Sequence, residues 1–141
     1  MGQVAEPEAV TMGDRVKEVH EKLNLTDQEK FLYQMHLDNL YGSGGVNHDN
    51  GSRSTLYQAV QENEGKFYNV PTVWGGKIET EPYTRGDGKV FDVPNKTALE
   101  NIAKTGWDQF PSYASPTEAD TRYDAMHQFM EEDTQNYFTG K

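Results

Sequence analysis

A glycine-punctuated segment at residues 42–51 constrains the fold of this 141-residue chain more than any other feature. It lies between a helical pattern and a run of short, aromatic-rich strands. It carries four glycines, the last of them in an Asn-Gly pair: Gly42, Gly44, Gly45 and Gly51. Glycine is favoured where the backbone takes a positive φ or approaches another group closely. The pattern therefore predicts that these glycines are structural residues of a loop with a fixed shape, and it assigns the loop no chemistry.

The composition predicts a single domain with a small core that is rich in aromatic residues. Hydrophobic residues make up 34% of the chain, which contains eight Tyr, six Phe and two Trp. Large rings bury much area per residue, so they partly offset the low apolar content. The length is that of one ordinary domain. We divide the chain into a flexible N-terminal tail at residues 1–12 and a single α+β domain at residues 13–141.

Charge and residue usage exclude several classes of function. The net charge of −10 argues against direct binding of nucleic acid or of an anionic membrane surface, since both require clustered Lys and Arg. No segment approaches the roughly 18 apolar residues of a membrane span, and the start of the chain lacks a signal-peptide pattern. The absence of cysteine excludes disulfides, thiolate metal sites and cysteine nucleophiles. We expect no metal, no cofactor, no catalytic residue and no membrane partner.

Hydrophobic periodicity predicts three or four helices, the first of them marginal by itself. Their expected spans are residues 14–23, 26–41, 95–104 and 115–137. The second begins with a capping box in which Thr26 and Glu29 satisfy each other's backbone amides. The fourth begins with Ser115 as the N-cap and Pro116 at the first helical position, and Glu118 closes a second capping box.

The segment between the second and third helices predicts a small antiparallel sheet. Residues 54–62 and 66–73 are typical of two strands joined by a turn, and residues 77–80 of a third short strand. Pro71 lacks an amide hydrogen and places the second strand at a sheet edge near its end. An Arg-Gly-Asp-Gly sequence at residues 85–88 predicts an exposed loop or hairpin tip. The expected fold class is α+β: two or three antiparallel strands packed with three or four helices.

The four histidines of the chain differ in their sequence settings. His36 shares a helix face with leucines, which favours a satisfied, half-buried side chain. His127 has the pattern of a boundary residue and His20 that of a solvated one. His48 lies in the glycine-rich segment and is the only histidine in a setting typical of active sites. No Ser-His-Asp order or His-x-x-x-His spacing accompanies it.

Five motifs follow one another along the chain in an order that is characteristic when they are taken together. They are Gly-Ser-Gly-Gly-Val at 42–46, Asp-Asn-Gly-Ser-Arg-Ser-Thr-Leu-Tyr-Gln at 49–58, Phe-Tyr-Asn-Val-Pro-Thr-Val-Trp-Gly-Gly-Lys-Ile at 67–78, Phe-Pro-Ser-Tyr at 110–113 and Ala-Asp-Thr-Arg-Tyr-Asp-Ala-Met-His at 119–127. Together they resemble an uncharacterised module of tailed-bacteriophage virion proteins, both structural and internal or ejected. The likeness covers roughly residues 28–137.

The chain departs from the family pattern at two turns. The family favours proline where this sequence has Ser43, and an Asn-Pro-Asp-Gly turn where this sequence has His48-Asp49-Asn50-Gly51. Both replacements keep residues that are compatible with a turn, so we expect the shape to persist. The resemblance implies a phage context and a structural role, and it transfers no catalytic residue to this chain.

We therefore expect a virion structural component, made in the host cytoplasm, that binds other virion proteins at the head–tail region or the tail. Assembly in many copies or as a homo-oligomer follows from virion symmetry. We predict that the binding surface is the loop at residues 42–55 with the neighbouring hairpin edge, and that its anchors are Arg53, Tyr57, Tyr68 and Trp74. Arg53 has a second interpretation, as a clamp that bridges groups inside the fold.

Two other classes of function remain open at the level of the sequence. The charge of −10 suits an acidic phage-encoded inhibitor that occupies the nucleic-acid groove of a host enzyme. The attachment of the module to ejected proteins suits a cell-wall hydrolase accessory, for which Glu62 and Glu64 on the hairpin are the candidate acids.

Overall fold

The computed structural model describes the backbone of residues 7–140 and the side chains of residues 13–140. Within that range the chain forms four α-helices and nine short strands. The helices are α1 (Pro7–Leu23), α2 (Asp27–Tyr41), α3 (Lys96–Thr105) and α4 (Pro116–Thr139), with a 3₁₀ turn at Trp107–Gln109 before α4. All four predicted helices are present, and the α+β class is confirmed.

The strands form one three-stranded sheet and three small two-stranded ribbons, all antiparallel. The central sheet has the order β3–β4–β9, and the ribbons pair β1 with β2, β5 with β6 and β7 with β8. The strands span β1 (Val46–Asn47), β2 (Arg53–Ser54), β3 (Ala59–Asn63), β4 (Lys66–Val70), β5 (Val73–Trp74), β6 (Lys77–Ile78), β7 (Thr80–Thr84), β8 (Val90–Pro94) and β9 (Ser112–Tyr113).

Helix α1 begins earlier than the sequence predicted. Residues 7–12, which we expected in a flexible tail, belong to the helix, while residues 1–6 of that tail lie outside the described residues. Pro7 stands at the first helical position, where its missing N–H is not required by the helix and its fixed φ is already helical. The tail prediction is therefore corrected for residues 7–12.

The predicted helix caps of α2 and α4 are present. Thr26 Oγ1 accepts the N–H of Glu29 at 3.1 Å, and the Glu29 carboxylate accepts the N–H of Thr26 at 2.9 Å. At α4, Ser115 Oγ accepts the N–H of Glu118 at 3.1 Å, but the Glu118 carboxylate accepts from Ala114 rather than from Ser115. The second capping box thus closes one residue further out than expected.

The predicted strand at residues 54–62 is broken in the structure. β2 ends at Ser54 and β3 starts only at Ala59, because Tyr57 adopts a φ of 43°, outside the β region. The Pro71 prediction is also only partly met. β4 lies between β3 and β9 at Phe67 and Tyr68, and beyond them it pairs with β3 alone up to Val70, just before the proline.

The core lies between α2, α4 and the central sheet, with α1 packed across the two helices. Fully buried side chains from each element meet there: Leu32 and Tyr33 of α2, Val70 of β4, Phe110, Met126 of α4 and Val19 of α1. A fully buried side chain of this kind stabilises the fold by about 1.5–3 kcal/mol. The core packing fixes α2 against α4, and this juxtaposition positions the groups described below.

The β3–β4 turn offers a test of this backbone geometry. Glu64 and Gly65 have φ values of 52° and 82°, a tight turn in which both central residues are left-handed. We expect Gly65→Ala to lower the free energy of unfolding by about 1–2 kcal/mol, the cost of a left-handed L-residue. Urea unfolding followed by circular dichroism measures the change.

Gly13 is the matched control because it lies inside α1, and a Cβ placed on it meets no atom within 4 Å. Gly13→Ala should raise the free energy of unfolding by about 0.5–1 kcal/mol. Equal effects of the two substitutions would show that the turn geometry at Gly65 is wrong.

Candidate functional site

The glycine loop, residues 42–55, is a short ribbon rather than an irregular segment. Val46 pairs with Ser54 and Asn47 with Arg53, and between them the His48 carbonyl accepts the N–H of Gly51 at 3.0 Å. Gly51 has a φ of 89°, the left-handed conformation that the Asn-Gly pair predicts. The loop therefore has a defined contour, as the sequence indicated.

Arg53 joins the glycine loop to the C-terminal end of α2. Its guanidinium donates to the carbonyls of Leu40, Asn39 and Gly42 at 3.2, 3.0 and 2.7 Å, and to Asn47 Oδ1 at 2.9 Å. Those carbonyls end the helix and have no partner inside it. A cation at this helix terminus is also favoured by the helix dipole. This geometry matches the interpretation of Arg53 as a clamp inside the fold. The guanidinium uses its N–H donors for these bonds within the chain.

Close approach explains three of the loop glycines. A Cβ on Gly45 would lie 2.7 Å from Cζ of Arg53, and one on Gly42 would lie 2.6 Å from the carbonyl oxygen of Asp38. A Cβ on Gly44 would overlap the side-chain oxygen of Asn39. Glycine lets the loop backbone lie directly against the Arg53 guanidinium and the end of α2.

The predicted aromatic anchors are placed differently from one another. Tyr57 is exposed, at 43%, and its hydroxyl donates to Asp92 at 2.9 Å. Trp74 is half-buried, with its indole N–H bonded to the carbonyl of Pro71 at 3.0 Å. Tyr68 is buried and packs edge-on against Trp107 at 5.0 Å. The Tyr68 prediction is therefore wrong as a surface anchor, because its position on β4 faces the core.

An exposed aromatic surface beside the loop was not identified from the sequence. Tyr41 at the end of α2 contacts Tyr137 near the end of α4, with ring centroids 5.6 Å apart, and Tyr137 contacts Phe138 at 5.2 Å. Tyr41 and Phe138 are 40% and 51% exposed. The Arg53 guanidinium lies 5.3 Å from the centre of the Tyr137 ring. We call Tyr41, Tyr137 and Phe138 the aromatic ladder. It continues the surface of the glycine loop.

The other sequence candidates take local structural roles. His48 Nε2 lies 2.7 Å from Ser54 Oγ, across the loop ribbon. Glu62 Oε2 accepts the N–H of Gly65 in the β3–β4 turn. Arg85 and Asp87 pair with each other at the tip of the β7–β8 hairpin, as the exposed-tip prediction placed them. Across the described part of the chain, no group of three or more histidine and acidic side chains is arranged to hold a metal ion.

A buried polar cluster connects α1, α2 and α4 with the glycine loop. Asp133 of α4 accepts Arg15 Nε at 2.6 Å and also the hydroxyl of Tyr33. His36 Nε2 lies 3.2 Å from the second oxygen of Asp133, and His36 Nδ1 lies 2.7 Å from Thr55 Oγ1. We call these five residues the Asp133 cluster. The sequence predicted a satisfied His36, but it gave no signal for Asp133.

The surroundings shift the pKa values of His36 and Tyr33 in the Asp133 cluster in opposite directions. Burial lowers the pKa of His36 below its ordinary value, and this effect outweighs the opposing influence of Asp133. Burial also raises the pKa of the Tyr33 hydroxyl, and its hydrogen bond to Asp133 adds to the increase. At neutral pH the cluster therefore contains a neutral imidazole and a protonated phenol.

A second buried carboxylate has a structural role at the start of α2. Burial opposes ionisation of Glu29, but bonds from Arg122 at 2.8 and 3.0 Å and from Tyr113 at 2.6 Å prevail and lower its pKa. The bidentate Arg122 also donates to the carbonyl of Leu23 at 3.1 Å. Glu29 thus joins the end of α1, α2, β9 and α4, in addition to capping α2.

The surface between these groups contains a depression next to the glycine loop. It is a cavity of about 280 Å³ between α4 and the segment joining β2 to β3, lined by residues that include His36, Thr55, Tyr57, Tyr123, His127 and Met130.

Among the helices of residues 7–140, none combines the length and hydrophobicity that crossing a bilayer requires. Comparison of the chain with family models, curated proteins and solved structures finds no match.

The contact between Gly45 and Arg53 can be tested by one methyl group. We expect Gly45→Ala to lower the free energy of unfolding by about 1–3 kcal/mol, because the new Cβ overlaps a guanidinium held by four acceptors. Chemical denaturation measures the loss. Gly86→Ala in the exposed hairpin tip, where a Cβ meets nothing within 4 Å, should change stability by less than about 0.5 kcal/mol. A neutral Gly45→Ala would argue against the clamp.

The His36 shift predicts a stability loss on mild acidification. In the folded chain the pKa of His36 lies below its ordinary value of 6.5. As the pH falls below 6.5, the unfolded chain therefore binds a proton at His36 that the folded chain does not bind. The contribution of His36 to the free energy of unfolding is therefore fully present above pH 6.5. Below that pH the free energy of unfolding declines, by at most about 1.4 kcal/mol per pH unit for one proton. Urea unfolding at pH 7.5, 6.5 and 5.5 checks this.

His127→Gln is the control for the acidification experiment, since His127 is an exposed histidine on α4. That variant should keep the decline, whereas His36→Gln should lose it. The charged and titratable groups around His36 are Asp133, Arg15, Tyr33 and His127. An unchanged decline in His36→Gln would assign it to another group.

Proposed function

We propose that this chain is a bacteriophage virion component that binds other virion proteins at the head–tail region or the tail. The phage context rests on the resemblance of the five sequence motifs to a virion-protein module. The observation that carries the binding role is the glycine loop, which Arg53 fixes in one shape directly beside exposed aromatic rings. A preformed surface with aromatic anchors is typical of a protein–protein interface.

The docking surface in this proposal is the glycine loop together with the aromatic ladder. Tyr41 and Phe138 present exposed rings, and Tyr137 between them packs on both sides, so the ladder is a continuous apolar edge. Aromatic side chains supply large contact area at a low cost in conformational entropy, which makes them frequent hot spots of binding energy. The ladder takes the anchor role that the sequence had assigned in part to Tyr68.

The rigidity of the loop supports a docking role for a physical reason. A mobile loop loses conformational entropy when it binds, and that loss subtracts from the affinity. Here Arg53 and the close-packed glycines have already fixed the backbone before a partner arrives. The net charge of −10 keeps free copies apart in solution, so association in the particle depends on the specific surface. Assembly in several symmetric copies is part of the proposal.

The proposal is tested by incorporation into particles. The double variant Tyr41→Ser/Phe138→Ser removes both exposed rings of the aromatic ladder, and we expect its copy number in purified virions to fall about tenfold or more. Quantitative mass spectrometry of particles from cells infected by the encoding phage measures the copy number. Thermal unfolding of the isolated variant confirms that it remains folded.

The matched control removes two exposed rings elsewhere. Tyr83 and Phe91 lie on the β7–β8 hairpin and are 56% and 40% exposed, so Tyr83→Ser/Phe91→Ser changes a similar area. This control should incorporate normally. If the hairpin control failed to incorporate into particles while the ladder variant incorporated normally, the docking surface would be assigned to the hairpin. Absence of the wild-type chain from purified particles would overturn the virion assignment itself.

A further inference from the structure

The cavity beside the glycine loop has a reactive arrangement at its wall. A chain of hydrogen-bonding groups runs from Thr55 Oγ1 through the His36 imidazole to the Asp133 carboxylate, with heavy-atom separations of 2.7 and 3.2 Å. Thr55 and His36 both line the cavity. A hydroxyl, an imidazole and a carboxylate in this order are the elements of a nucleophile activated by a base that a third group orients.

The direction of the hydrogen bonds follows from the chemistry of the three groups. The Asp133 carboxylate, paired with Arg15, only accepts, so His36 Nε2 carries the proton and donates to it. Burial lowers the pKa of His36, and a neutral imidazole that has its proton on Nε2 has a free lone pair on Nδ1. Nδ1 therefore accepts, and the Thr55 hydroxyl donates to it.

The exposure of the groups fits this order. His36 is 1% exposed and Asp133 is 5% exposed, whereas Thr55 retains 9%. Thr55 and His36 both line the cavity, and Thr55 is the more exposed of the two. A neutral base shielded from water but bonded to the hydroxyl is a geometry that supports general-base catalysis.

We propose that Thr55 is the nucleophile of an acyl-transfer site in this cavity, with His36 as its general base and Asp133 as a positioning residue. In the first step Thr55 Oγ1 attacks the carbonyl carbon of an ester, and its proton passes to His36 Nδ1. The new O–C bond forms as the bond to the leaving alkoxide or phenoxide breaks, and the His36 proton returns to the leaving group or to solvent. Water then attacks the carbonyl carbon of the acyl-Thr55 ester while His36 takes one of its protons. The acid leaves as the bond to Thr55 Oγ1 breaks, and the His36 proton returns to that oxygen.

The cavity indicates the class of substrate. Its volume of about 280 Å³ is at the small end of ligand sites, and its walls include Tyr123 and Met130. A cavity of this size would take a small acyl group. Arg15 offsets part of the charge on Asp133, so the imidazolium formed during the reaction is less stabilised than in a triad with an unpaired carboxylate. We expect slow turnover, which makes the acyl-Thr55 adduct the appropriate readout.

The experiment uses p-nitrophenyl acetate on the full-length folded protein. Acetylation at Thr55 is located by peptide mass spectrometry and compared with the same chain unfolded in guanidinium chloride. We expect at least about 100-fold faster acetylation of Thr55 in the folded protein, the effect of a positioned general base. Thr55→Ser should retain labelling at residue 55. Thr55→Val, which keeps the shape and removes the hydroxyl, should lose release of p-nitrophenolate above the background of exposed amines.

The wild-type comparison decides the proposal even where a variant fails to fold. Equal acetylation of Thr55 in the folded and unfolded chain would overturn it, as would release of p-nitrophenolate by folded Thr55→Val at the wild-type rate. His20→Gln changes a histidine of α1 that does not line the cavity, and it should leave acetylation at Thr55 within about tenfold of wild type. Loss of labelling in that folded variant would contradict the role of His36 as the base.

Discussion

The buried carboxylate of Asp133 is the group on which the packing of three helices depends. It lies 5% exposed on α4 and accepts from Arg15 of α1 and from Tyr33 and His36 of α2. An ionised carboxylate is stable in such a place only when charged and polar partners replace its water. The requirement acts in both directions: α1 and α2 must supply these partners, and α4 must adopt the rotation that brings Asp133 inward.

The glycine loop depends on that helix arrangement. Thr55, at the end of the loop, bonds to His36, and Asn39 Nδ2 donates to the Thr55 carbonyl at 2.7 Å. Arg53 donates to the carbonyl of Gly42, the first residue of the loop, and to that of Leu40 near the end of the same helix. The loop is therefore attached to α2 at both of its ends, and its shape follows from the helix terminus as much as from its own glycines. The cavity beside it exists because α4, held by Asp133, passes close to the same segment.

Polar connections compensate for the low apolar content of the chain. Glu29 and Asp133 each join several elements through charged or phenolic partners, so the two buried acids organise the packing around the start and the middle of α2. A buried ion pair is weak evidence for high stability, because the cost of removing both charges from water offsets much of their attraction. Its contribution is to specify one arrangement, since any slip of α1 or α4 would leave a carboxylate buried without a partner.

The sequence by itself determined the local structure: the capping box at Thr26, the N-cap at Ser115, the Glu64–Gly65 turn and the left-handed Gly51. These features rest on interactions within a few residues, which neighbouring letters encode. Only the tertiary structure decided that Tyr68 is buried, that the aromatic ladder exists and that Asp133 turns inward. The partners of Asp133 are separated from it by 118, 100 and 97 residues, and Thr55 lies 19 residues from His36. Periodicity along one helix cannot encode a partner on another, because it records only which side is polar and not what that side will meet.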